Sequence, residues 1–314
     1  VRDRRAVDRA LRGVDTVFHL AAAVGVGRSM DEIAHAVSIN NLGTAVLLEA
    51  LSQKPVEKLV VASSMSIYGE GLYRTPDGRA VEAQDRGLQQ LQAGDWEPTG
   101  PGGERLEPFP TPESKAPTLG SVYALGKFDQ ERLCLMIGRA HGIPTVALRF
   151  FNVYGPRQAH SNPYAGVLAV FAARLLNGDA PLIFEDGLQQ RDFVSVHDVA
   201  RACRLALEST VASGRVFNVG SGTSTTVRAV AAQMAEALGR RQLRREITGK
   251  YRVSDVRHCF ADTTLAAQIL GYEARVSFTE GLFELAEWLS GQRANGRVAG
   301  KKADAQLEAR ELTV

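Results

Sequence analysis

Cysteine is scarce in this chain, and long apolar runs are missing. The three cysteines, Cys134, Cys203 and Cys259, form no Cys-x-x-Cys pair, which excludes a zinc knuckle and a disulfide framework. Such usage fits a reducing compartment, so a cytoplasmic protein without a metal is expected. No apolar stretch approaches the ~18 residues of a membrane-spanning helix, and no signal-peptide pattern is read, so no membrane partner is expected. An excess of charge is missing too. The 37 Lys and Arg against 35 Asp and Glu leave a net +2, which gives no footprint for nucleic acid. What is present, 314 residues with 45% hydrophobic and 23% charged content, reads as one large or two ordinary globular domains.

Strand-like and helix-like runs alternate. Residues 14–20 are a β-type run that ends in the small residues of 21–27, where a ligand can approach the backbone; a tight turn with no ligand is the bland reading. Residues 37–51 read as a helix with apolar residues on more than one face. The continuous β-branched run over 58–64 reads as a buried parallel strand. Residues 70–118, rich in Gly, Pro and Gln, are too long for a plain connection and read as an insertion or lid. A helix over 123–141 and a strand over 145–151 follow. Further helices are expected over 165–177, 199–207, 227–238 (capped by Ser224 or Thr225) and 278–289, with strands over 181–184 and 192–196 and a strand with a small-residue turn over 216–222. The polar tail 291–314 reads as disordered. This alternation predicts a doubly wound parallel α/β sheet.

The chemistry centres on Ser121-Val-Tyr-Ala-Leu-Gly-Lys127. Tyr123 and Lys127, four residues apart, share one helix face. An ammonium beside a phenol lowers a pKa that starts near ~10, and a phenolate can take a proton from a sugar hydroxyl. An ordinary surface pair is the alternative. Ser63 and Ser64 end the 58–64 strand, where open α/β sheets hold ligands, or they merely cap a turn.

Ser64, Tyr123 and Lys127 resemble the Ser/Thr…Tyr-x-x-x-Lys triad of the short-chain dehydrogenase/reductase superfamily. Phe18-His-Leu-Ala-Ala22, Asn40-Asn-Leu-Gly-Thr44, Ser64-Met-Ser-Ile-Tyr-Gly69, Arg149-Phe-Phe-Asn-Val-Tyr-Gly-Pro-Arg157 and Arg191-Asp-Phe-Val resemble its extended branch, the NAD-dependent nucleotide-sugar epimerases and dehydratases. The likeness runs from Val1 to about Trp288 and includes the bacterial dTDP-L-rhamnose 4-epimerases. It implies a Rossmann-like sheet with a smaller mixed C-terminal substrate lobe. Residues 1–150 and 192–222 would belong to the dinucleotide-binding part, and 151–191 and 223–290 to the lobe. No Gly-x-x-Gly-x-x-Gly turn precedes Val14, so the sheet is expected to lack its N-terminal strands.

The resemblance also implies roles. Tyr123 is the base, Lys127 lowers its pKa and holds the nicotinamide ribose, and Ser64 bonds the reacting oxygen. NAD contacts fall on Ala21, Ala22, Asn40, Ser63, Tyr123, Lys127 and Phe150. A nucleoside diphosphate sugar meets Ser66, Asn152, Arg191, Arg252, Asp255 and the pocket residue Cys259. A homodimer through the helices 37–51 and 123–141 is expected. Dehydratases of this branch place Asp-Glu after the hydroxyl residue, and glucuronate decarboxylases place Glu two residues after it; here Met65 and Ser66 stand there. A 4-epimerase is therefore expected. A reductase of a nucleotide-linked keto-sugar, and a non-catalytic dinucleotide-binding protein, remain as alternatives.

Overall fold

The computed structural model describes residues 1–158, 166–252 and 255–294. Asp3 opens α1 (Arg4–Ala10) by accepting from the Ala6 backbone N–H, and β1 (Thr16–His19) follows. α2 (Val26–Asp31) and α3 (Ile33–Val37) lead into a π-helical turn, Ser38–Leu42, and then α4 (Gly43–Gln53). The helix expected over 37–51 thus starts earlier and contains a widened turn. Single π turns gather at functional sites, and the buried residue of this one is Asn40. β2 (Lys58–Ser64) is buried at every position, as its unbroken apolar run requires.

The 70–118 insertion holds β3 (Leu72–Arg74), β4 (Ala80–Glu82), the short α5 (Leu88–Gln92) and β5 (Glu107–Phe109). Its strands pair as a small antiparallel sheet, β4-β3-β5. Ser121 caps α6 (Val122–Ala140), which lies on β6 (Thr145–Phe150) so closely that a Cβ at Gly138 would sit 2.1 Å from Thr145 Oγ1. Then come β7 (Asn152–Tyr154), α7 (Val167–Asn177), β8 (Leu182–Ile183), β9 (Gln190–Ser195), α8 (Val196–Glu208) and β10 (Val216–Val219). Thr226, at the end of β11 (Ser224–Thr226), caps α9 (Val227–Ala237) in place of the expected Ser224 or Thr225. β12 (Glu246–Ile247), β13 (His258–Cys259), α10 (Thr264–Leu270) and α11 (Phe278–Ala294) complete the described chain. α11 runs past residue 289, so 291–294 are helical rather than tail; the rest of the expected tail lies outside the described residues.

β1, β2, β6 and β10 form one parallel sheet in that order. Alternate residues face opposite layers. Leu59, Val61 and Ala147 meet Val7 of α1, Leu47 and Leu51 of α4 and Cys134 of α6. Val60, Val146 and Leu148 meet Val199, Ala202 and Ala206 of α8 and Leu270 of α10. Helices on both faces of a parallel sheet are the doubly wound arrangement that the alternation predicted. The second sheet is mixed: β11 runs antiparallel to β9, while β7 and β13 run parallel to it. Its core joins Phe171, Leu175, Ile183, Phe193, Met234 and Leu285.

Of residues 192–222, expected with the main sheet, β10 joins it whereas β9 builds the second one. The buried Asp192 of β9 ties the two sheets together. Its carboxylate accepts from the backbone N–H groups of Ser221 (2.7 Å), Gly222 (3.0 Å) and Ala261 (3.2 Å), which pins the chain after β10 and β13 against β9.

A buried ion cluster fastens the insertion to this lobe. Arg257, fully buried, donates to Glu97 (2.5 Å), Asp186 (2.8 Å) and Glu185 (2.8 Å), and Arg86 donates to Glu185 at 2.9 Å. Among the described residues, no helix is long and apolar enough to cross a membrane, and no cluster of three His, Cys, Asp or Glu is arranged to hold a metal.

Candidate active site

Ser64 ends β2 and caps the 3-10 turn Met65–Tyr68. Its oxygen accepts from the Ser66 hydroxyl at 2.8 Å and from the Ser66 N–H at 3.2 Å. The Ser64 hydroxyl also acts on the Tyr123 phenol, and this hydrogen bond favours the ionised form of the phenol. Tyr123 lies in the first turn of α6, where the Ser121 cap accepts from Ala124 N at 3.0 Å and Ser29 Oγ accepts from Tyr123 N at 3.0 Å. The local cap and a residue of the distant helix α2 thus fix the turn that carries the tyrosine.

The electrostatics differ from the sequence expectation. Lys127 was expected to lower the Tyr123 pKa. Burial instead raises it, and the opposing influence is the Ser64 hydrogen bond. Lys127 is buried and donates to Gln130 Oε1 at 2.8 Å. Burial lowers the Lys127 pKa to about 8. Its field falls on His19, whose pKa is held down at about 4 by burial first and Lys127 second.

Around this pair stand the residues expected to meet a dinucleotide. Ala21 is exposed and Ala22 half-buried just beyond the C-terminal end of β1. Asn40 reaches from the π turn to Ala23, accepting from its N–H at 2.7 Å and donating to its carbonyl at 3.1 Å. Phe150, half-buried, pairs in register with Ser64. Small residues beside a strand's C-terminal end, with a phenol, an ammonium and an anchored Asn, fit the nicotinamide-ribose end of NAD. Ser63 is turned elsewhere: its buried hydroxyl donates to Glu131 Oε2 at 2.6 Å.

The expected substrate residues fall into separate groups. Asn152 donates to the Asp192 carbonyl at 2.9 Å and ties β7 to β9. Arg191 donates to the carbonyls of Gln190 and Arg257, each at 2.9 Å, and to that of Val256; the Asp255 carboxylate is 3.9 Å away. Arg252 lies with its guanidinium 5.0 Å from the Phe184 ring centre. Cys259 is fully buried, 3.9 Å from Thr111 Oγ1 and in one cluster with Ile67, Tyr68 and Phe151; burial pushes its thiol up to about 12. The structure therefore joins Ser64, Ser66 and Tyr123, and separately Arg191 and Asp255.

Sequence reading missed the polar groups behind these. Gln130, fully buried, follows Lys127 by three residues, a helix-face spacing that could have marked it. Glu131 accepts two bonds from Arg149, at 2.9 and 2.7 Å, and Arg149 continues to the Tyr68 hydroxyl at 2.8 Å.

Comparison with known proteins shows the family. Residues 1–220 match the NAD dependent epimerase/dehydratase family. A dTDP-L-rhamnose 4-epimerase from Burkholderia thailandensis is 32% identical over 283 residues, covering 88% of this chain and 75% of the relative. The crystal structure of UDP-glucose 4-epimerase from Thermotoga maritima with UDP-glucose superposes with a TM-score of 0.74 at 32% identity, covering 93% of this chain and 83% of that one. The UDP-glucose 4-epimerase of Thermus thermophilus, solved with NAD, gives 0.71 at 32% identity, covering 92% and 83%. With the Ser64–Tyr123 contact and Lys127 on the helix that carries the phenol, the match identifies the chain as a member of the NAD-dependent epimerase/dehydratase family, whose enzymes act on nucleotide sugars.

Proposed function

We propose that the protein is an NAD-dependent nucleotide-sugar 4-epimerase. The carrying observation is the hydroxyl trio: Ser66 donates to Ser64 at 2.8 Å, Ser64 bonds Tyr123, and no carboxylate occupies positions 65 and 66. Elimination and decarboxylation in this branch use such a carboxylate. Oxidation and re-reduction at one carbon need, beside the redox capacity that NAD would supply, only a base that gives its proton back.

Tyr123, once ionised, takes the proton from the sugar 4-hydroxyl, and the Ser64 hydrogen bond favours that ionised form against the effect of burial. Ser64 donates to the same oxygen and is itself oriented by Ser66. Lys127 and Asn40 hold the ribose end of the cofactor beside the Ala21–Ala22 backbone. When bound, NAD supplies the redox capacity of the reaction. Return of the proton by Tyr123 to the opposite configuration completes the exchange. Arg191 and Arg252 are suited to the diphosphate, since a guanidinium offers paired donors. The test is incubation with NAD and UDP- or dTDP-hexoses, followed by proton NMR of the C4 signal. The 4-epimer should accumulate to equilibrium without net NADH. Stoichiometric consumption of NADPH instead would establish the keto-sugar reductase.

We also propose a homodimer. Val37 and Leu42 beside α4, and Leu125 and Met136 of α6, are exposed apolar residues on the helices expected to pair. Light scattering at micromolar concentration should give twice the chain mass in the parent and the monomer mass in Met136→Glu; a monomeric parent rejects the idea.

A further inference from the structure

The Gln130 side chain has no exposed surface, and every polar atom of it is engaged. Its Oε1 accepts from Lys127 Nζ at 2.8 Å. An ammonium can only donate, which fixes the amide orientation: oxygen toward Lys127, nitrogen away from it. The Nε2 donates to Thr44 Oγ1 at 2.9 Å and to the Ala21 carbonyl at 3.3 Å, with His19 Nε2 at 3.2 Å. Thr44 is held in turn, donating to the Asn40 carbonyl at 2.6 Å and meeting His19 Nε2 at 2.8 Å. Gln130 therefore lies between the ammonium and two anchors that sequence reading assigned to cofactor contact, the Ala21 backbone and the π turn of Asn40.

We propose that Gln130 is a positioning residue: its carbonyl holds the Lys127 ammonium one helical turn from Tyr123, while its amide locks that hold to Thr44 and to the Ala21 carbonyl. The inference rests on the proposed use of Tyr123 and Lys127 as a proton-transfer pair. Among the described residues, Lys127 bonds one side-chain acceptor, Gln130 Oε1. The other titratable groups acting on it are His19 of β1 and Glu131 and Cys134 of α6, with the Tyr123 phenol one turn earlier. Glu131 is matched by Arg149, and His19 stays neutral. Thr44 of α4, Asn40 of the π turn, and Ser63 and Ser64 of β2 carry no charge. Removing the Gln130 carbonyl thus removes the nearest group that favours the charged lysine. A carboxylate in its place favours it more.

The test reads Lys127 directly. The chain has seven lysines, so Cε-labelled lysine gives few NMR signals, and Lys127→Arg assigns the one of interest. In the full chain without substrate, Lys127 should titrate well below an ordinary lysine, lower still in Gln130→Leu, and higher by about 1 unit or more in Gln130→Glu. With substrate, the alkaline limb of kcat/KM should move in the same two directions. A Lys127 titration unchanged in both variants overturns the inference. Should Gln130→Leu fail to fold, an unshifted Gln130→Glu overturns it alone. Absence of epimerase activity removes only the kinetic arm, so the failure of the functional reading is distinguishable.

Discussion

The Arg149 guanidinium makes a two-pronged contact with the Glu131 carboxylate, Nε at 2.9 Å and Nη2 at 2.7 Å, across the α6–sheet interface. Neither side chain is exposed by more than 7%. Both charges are removed from water, so each depends on the other.

Removal of one partner should therefore be costly. Glu131→Ala leaves Arg149 buried without its carboxylate and frees the Ser63 hydroxyl. The expected loss is about 3–5 kcal/mol, read as a lower urea midpoint with an unchanged slope. A loss under about 1 kcal/mol, the size of a surface pair, would show that the pair is hydrated in solution.

Tyr123→Phe removes one oxygen and leaves the ring and the helix cap in place. Turnover should fall by about 10²–10⁴-fold with the thermal midpoint nearly unchanged. Activity within tenfold of the parent would exclude the phenol as the base.

His19 supplies a pH dependence whose sign is determined. Burial holds its pKa at about 4 against an unfolded value of 6.5, so the native state keeps it neutral. The stability this confers is present above the unfolded pKa and is lost as pH falls from 6.5 toward 4. Between pH 7 and pH 5 the parent should lose about 2 kcal/mol more than His19→Gln. Equal losses in the two proteins would mean that His19 protonates within the fold.

Cys259 tests the reach of the sugar pocket. Its side chain is buried against Thr111, so Cys259→Tyr introduces a ring at a buried position. Overpacking should cost about 1–3 kcal/mol. If the residue also borders the sugar, kcat/KM for an N-acetylated nucleotide sugar should fall more than for the plain hexose. An equal fall for both would remove Cys259 from the pocket wall.

The sequence by itself determined the four strands of the parallel sheet and the helical layers on its two faces. A run such as 58–64 is apolar on both faces and can only be satisfied between two helical layers, so its place in a parallel sheet is local information. The same holds for Tyr123 and Lys127, whose common face follows from helix geometry. The partners of these groups were decided by tertiary structure. Gln130 meets Thr44, 86 positions away, and Arg257 meets Glu97, 160 positions away; no periodicity encodes such pairings. The Tyr123 pKa followed suit. Proximity along a helix predicted a lowered value, but desolvation depends on everything packed around the phenol, and Gln130 turns the ammonium's nearest bond elsewhere. Burial and long-range contact are properties of the folded chain, and at this site they outweighed the spacing that first marked it.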